Sequence, residues 1–133
     1  MIISAEEFVA LRGSRQQDEY IRAANDSASM EVWLDVIDRF PDLRIWVAHN
    51  KTVPVEVLAL LARDSDPEVR ASVAMKNRLS YELFILLAAD SDDSVRERIV
   101  HNKNTPPEVL RQLSRDSSEN VSTPARERVR QSA

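Results

Sequence analysis

A 26-residue period runs through the chain and constrains its fold more than any other feature. Arg44, Arg70 and Arg96 stand one period apart. So do Val47, Val73 and Ile99; Leu58, Phe84 and Leu110; Leu61, Leu87 and Leu113; and Asp64, Asp90 and Asp116. The three units PDLRIWVAHNKTVPVEVLALLARDSD, PEVRASVAMKNRLSYELFILLAADSD and DSVRERIVHNKNTPPEVLRQLSRDSS align without a gap. A partial unit follows, with Val121 at the position of Val95. A degenerate unit precedes them: Glu31 lies 25 residues before Glu56 and Asn25 lies 25 before Asn50, so one residue has been gained or lost ahead of Arg44. We therefore expect a single helical-repeat domain over 1–133. Its parts are an N-terminal cap (1–17), a degenerate repeat (18–43), regular repeats (44–118) and a C-terminal partial repeat (119–133).

Each unit reads as two short helices. Asp66 has the chemistry of an N-cap, Pro67 suits the first helical position, and Val69 with Val73 gives an i, i+4 apolar pair. Thr105-Pro106-Pro107-Glu108 and Ser4-Ala5-Glu6-Glu7 read as capping boxes, and Gly13 as a helix stop. No segment shows strand alternation, so the expected class is all-α. Helices of about ten residues are marginal alone, because nucleation is costly and two turns bury little. Stacking on neighbours makes them stable, so the expected architecture is a right-handed α-solenoid of short helical pairs.

Composition narrows the chemistry. The chain has 133 residues, no cysteine, one glycine and two histidines. Without cysteine there is no disulfide framework, thiolate metal site or thiol nucleophile. One glycine cannot build a phosphate-cradling loop. No apolar run is long enough to span a bilayer, and no signal segment opens the chain, so a cytoplasmic location is expected.

The pattern V-R-x-x-V-A-x-N-x-x-x-P-x-E-V-L-x-x-L-A-x-D-x-D-P resembles the leucine-rich repeat variant family, a relative in shape of HEAT and armadillo repeats. It is carried here by Val69-Arg70, Val73-Ala74, Asn50, Pro54, Glu56-Val57-Leu58, Leu61-Ala62, Asp64 and Asp66-Pro67. The resemblance implies short helices, some of the tighter 3₁₀ type, wound into a right-handed superhelix, and a bacterial binding scaffold. Some relatives hold an iron–sulfur cluster on cysteines, a feature this chain lacks, and no cofactor is expected. Lys76, Ser80, Asp93 and Ser122 depart from the pattern, where asparagine, proline, proline and arginine are expected; these changes should weaken caps.

No catalytic or metal constellation emerges. His49 and His101 are two periods apart, on the order of 20 Å if stacked helices are 8–10 Å apart, too far for a shared ion. Pairs such as Asp64/Asp66 and Asp90/Asp92 coincide with helix starts, where capping accounts for them. Asn50 and Asn102 fit turns in the left-handed region. The ladder of Arg44, Arg70 and Arg96 with Asp64, Asp90 and Asp116 reads either as a charged binding face or as structural pairing within and between layers, and recurrence in every unit favours pairing.

Charge is distributed unevenly. Residues 1–43 hold nine acidic and four basic side chains, a net of −5, while the remainder is +1. Glu31, Asp35, Asp38 and Asp42 follow at steps of 4, 3 and 4 along one helix face from Ser29 to Phe40, with Trp33, Phe40 and Trp46 nearby. This reads as an acidic ridge, edged by Trp33 and Trp46, that docks a basic protein, or as the solvated side of an amphipathic helix. The expected function is a non-enzymatic protein–protein scaffold; a sharper form is an intracellular inhibitor, such as a bacterial immunity protein against a basic toxin nuclease. The alternative is a nucleic-acid-binding or DNA-repair-related module using Arg126, Arg128 and Arg130. It lacks the basic surface that phosphate binding demands. Oligomeric state is open.

Overall fold

The computed structural model describes residues 1–132. They are all-helical: α1 (Ala5–Arg12), α2 (Gln17–Asn25), α3 (Met30–Arg39), a 3₁₀ turn (Pro41–Leu43), α4 (Arg44–His49), α5 (Val55–Leu61), α6 (Pro67–Ala74), α7 (Tyr81–Ala88), α8 (Asp93–His101), α9 (Pro107–Leu113) and α10 (Glu119–Gln131). None is long and apolar enough to cross a membrane among the described residues. The chain divides into two compact units, Met1–Leu61 and Ala62–Ala133.

In the first unit α1 packs on α2 and α3, and α3 on α4 and α5. Ser4 starts α1, its Oγ accepting from the Glu7 N–H at 3.0 Å. The returning Glu7 carboxylate accepts from Ile3 at 3.1 Å, one residue before the expected cap. A bridge outside the helices joins Ile2 to Ala28, and Ile2 is completely buried. Gly13 does end α1, but with φ −85°, and no described residue has positive φ. The stop therefore needs no left-handed backbone.

The second unit follows the period. α6 packs on α8 and α8 on α10, while α7 packs on α9, so each helix lies against its counterpart one repeat later. Val69, Val73, Val95, Ile99, Val121 and Ala125 are buried from the first helices of the repeats, and Leu83, Phe84, Leu87, Val109, Leu110 and Leu113 from the second. Burying each large apolar side chain contributes about 1.5–3 kcal/mol. Asp66 and Asp92 cap α6 and α8 through the N–H groups of Glu68 and Ser94, both at 2.9 Å.

Three local expectations are corrected. Thr105 does not cap α9; it is buried and its Oγ1 donates to the Ile99 carbonyl at 2.5 Å. Pro106 holds the N-cap position without a side-chain bond, and the Thr105 N–H that a returning Glu108 would meet donates to the Asn102 carbonyl at 3.2 Å instead. Ser80 strengthens its helix start where weakening was expected, because its Oγ accepts from Leu83 N–H at 3.3 Å, which no proline can do. Asn50 and Asn102 lie at φ −63° and −70°, outside the left-handed region.

Both asparagines instead clasp the preceding repeat. Asn102 Nδ2 donates to the carbonyls of Ala74 (2.9 Å) and Lys76 (2.7 Å), and its Oδ1 accepts from Asn104 N–H at 2.9 Å. Asn50 donates likewise to Ala23 (2.8 Å) and Asp26 (3.0 Å). One period after Asn102 stands Arg128, whose Nη1 donates to the carbonyls of Val100 (2.5 Å) and Asn102 (2.7 Å). These acceptors lie 28 and 26 residues back, the same offsets that Asn102 uses. Lys76 occupies the same register, and burial pushes its ammonium below the ordinary value.

Candidate functional site

α3 positions the acidic ridge. Ser29 Oγ accepts from Val32 N–H at 3.3 Å to start the helix, and Trp33 and Val36, three residues apart, bury its inner face. The acidic side chains fall on the opposite side of a 3.6-residue turn, so the sequence phase sends them to solvent. Glu31, Asp38 and Asp42 are exposed, and none of them is in an ion pair among the described residues. Asp42 extends the ridge from the 3₁₀ turn beyond the helix end.

Asp35 differs. Its carboxylate takes two hydrogen bonds of 2.7 Å from Arg39, which also pairs with Glu6 on α1. The Arg39 hydrogen bonds hold both carboxyls below their usual range. Arg39 therefore ties α3 to α1, and Asp35, held by Arg39, is not a free member of the ridge.

The aromatic edge is corrected as well. Trp33 is fully buried, edge-on to Phe8 with ring centroids 5.3 Å apart, and presents nothing to a partner. Its Nε1 is buried without an acceptor among the described residues. Trp46 is 38% exposed, with the Arg12 guanidinium 3.7 Å above its ring and His49 tilted beside it at 5.6 Å. Met30 and Leu34, 37% and 40% exposed, are the apolar groups that border the acids. They were legible as an i, i+4 pair lying between the buried and acidic stripes.

The ladder residues are engaged internally. Arg70 grips Asp90 through Nε (2.8 Å) and Nη2 (3.1 Å) and donates Nη1 to the Asp64 carbonyl at 2.7 Å. Arg96 repeats this with Asp116 (2.8 and 3.1 Å) and the Asp90 carbonyl (2.7 Å). Arg44 donates Nε to Ile37 at 2.8 Å, seven residues back where the others reach six. The irregular spacing seen before Arg44 is absorbed here. Asp64 Oδ2 accepts from Asp66 N–H at 3.0 Å, a contact that Asp90 and Asp116 repeat with Asp92 and Ser118.

Burial raises the Asp116 pKa, but the bonds from Arg96 and the Ser118 N–H outweigh it, leaving the carboxyl below its ordinary 3.8. Asp92 is likewise lowered, by the Ser94 hydroxyl and N–H. A depressed carboxyl contributes stability above its unfolded pKa and loses it as pH falls through the folded value. Denaturant melts should therefore show stability falling below about pH 4, with a shallower fall in Asp116→Asn. An unchanged acid limb in that variant would contradict the assignment.

No group of three metal-ligating side chains occurs among the described residues. In comparisons with known proteins, the chain matches no family model, no curated protein and no solved structure.

Proposed function

We propose that the chain is a non-enzymatic protein-binding module of the leucine-rich-repeat-variant or HEAT-like type, its helical pairs stacked as a right-handed solenoid, that docks a basic protein on the outer face of α3. One observation carries this: three exposed carboxylates, Glu31, Asp38 and Asp42, share that face with the exposed Met30 and Leu34. Carboxylates steer a basic partner and set orientation, while apolar groups beside them contribute contact energy on docking. Supporting the repeat reading are the 26-residue register and the clasp and ladder bonds repeated at constant offsets within the second unit. The sharper form, an intracellular inhibitor of the immunity-protein kind, rests on the same acidic face.

Nucleic-acid binding is the weaker reading because its arginines are committed. Arg70 and Arg96 hold aspartates, Arg128 clasps carbonyls, and Arg130 pairs with Glu127. Affinity capture with wild type and Glu31→Lys/Asp38→Lys as parallel baits tests the proposal. Wild type should retain one stoichiometric basic protein, the variant about tenfold less, and about 0.5 M salt should weaken retention. Equal retention by both baits, or recovery of nucleic acid alone, would overturn it. Asp35 is left intact because it is already held by Arg39.

A further inference from the structure

We infer that the recess between the end of α6 and the last turn of α8 is a binding site for a phosphomonoester dianion. The recess has a volume of about 300 Å³ and is lined by Met75, Asn77, Arg98, His101, Asn102 and Lys103. Arg98 and His101, three residues apart, stand on one face of α8, and Lys103 follows in the turn that leaves it. All three are exposed. No acidic residue occurs in 75–81 or in 98–107, although the chain as a whole carries −4. Glu97 comes within 4.0 Å of His101, beyond hydrogen-bond distance, and neither Arg98 nor Lys103 is paired with a carboxylate among the described residues. Arg98 Nη1 donates to Met75 Sδ at 3.3 Å. A thioether is a weak acceptor, so the guanidinium lies along the wall of the recess with its charge unanswered.

Packing does not require these cations. Residues that serve stacking recur at the 26-residue period. Within the second unit, the positions one period before Arg98, His101 and Lys103 hold Ser72, Met75 and Asn77, and those one period after hold Pro124, Glu127 and Val129. In the first unit His49 and Lys51 recur, with Trp46 in place of the arginine. A helix C-terminus ordinarily repels an anion through its free carbonyls. Here those carbonyls are occupied: Asn102 Nδ2 bonds those of Ala74 and Lys76, Asn104 Nδ2 that of Asn77, and Arg128 those of Val100 and Asn102. Arg128 thereby adds positive charge beside a lining residue. A guanidinium fork, an imidazole N–H and an ammonium suit the several oxygens and double charge of a phosphomonoester better than the single charge of a carboxylate. One recess of this size holds a single phosphoryl group and does not offer the row of contacts that a nucleic-acid backbone demands. The site is independent of the α3 face.

The test is a titration of the isotope-labelled full chain with inorganic phosphate, sodium chloride holding the ionic strength constant. Saturable amide shifts at Asn77, Arg98, His101 and Lys103, half-complete at about 1–10 mM, are expected. Arg98→Gln and Lys103→Gln should each weaken binding about tenfold, the loss of one charge-assisted contact. Their denaturant melts should match wild type, because both side chains are exposed. Free phosphoserine and a phosphoserine-containing peptide, titrated in parallel, distinguish a small ester from a modified protein as the source, the tighter binder naming it. Shifts that grow without saturating, or undiminished affinity in both variants, would overturn the proposal. Equal affinity for acetate would also overturn it, because any anion would then suffice.

Discussion

Arg96→Ala is expected to destabilise the second unit by about 3–5 kcal/mol, the usual cost of leaving one member of a buried ion pair without its partner. The side chains of Arg96 and Asp116 are only 15% and 10% exposed, so the pair sits largely out of water. Two charge-assisted bonds to Asp116 disappear, and the Asp90 carbonyl loses its donor at 2.7 Å. Urea melts followed by circular dichroism, with amide exchange in α8 and α9, measure the effect. Adding Asp116→Asn should recover part of the loss, since it removes the stranded charge while keeping an acceptor for Ser118 N–H. A loss below about 1 kcal/mol, the level of an exposed pair, would show that the ladder is a surface feature.

Asn102→Ala should cost about 3 kcal/mol, because each buried backbone group left unpaired costs roughly 1–3 kcal/mol. The carbonyls of Ala74 and Lys76 lose their donor and Asn104 N–H loses its acceptor. Asn102→Arg separates this account from a generic packing defect. Arg128 bridges carbonyls at the same offsets one repeat later, so an arginine should restore much of the lost stability. If arginine proves worse than alanine in the same melts, the clasp is not what Asn102 provides.

The ladder was legible in the sequence because both partners recur at a fixed period, so register alone brings Arg70 to Asp90 and Arg96 to Asp116. The clasp was not. Its acceptors are backbone carbonyls 26 and 28 residues away, which no side-chain pattern marks, and the asparagines were read as turn formers. Arg128 was hidden for the same reason, grouped with Arg126 and Arg130 as candidate nucleic-acid contacts. The ridge shows a second limit. Acid spacing placed the carboxylates correctly, but proximity in sequence grouped Trp33 with Trp46, whereas helical phase sets Trp33 beside Val36 in the core. Arg39 illustrates a third: its partners Asp35 and Glu6 come from two helices, and only tertiary packing brings Glu6 to it. Thr105 matched a capping motif whose local bond was displaced by two prolines and a buried carbonyl.

The clasp gives the second unit a direction. The carbonyls at the end of one repeat's first helix are closed by a side chain from the repeat that follows. A genetic duplication or loss of one whole 26-residue block carries donor and acceptor along together, so the number of repeats can change while every junction stays matched. A break at any other length leaves donors facing the wrong carbonyls. Growth of such a chain over evolutionary time is thereby quantised by its hydrogen bonds, independently of what any surface binds.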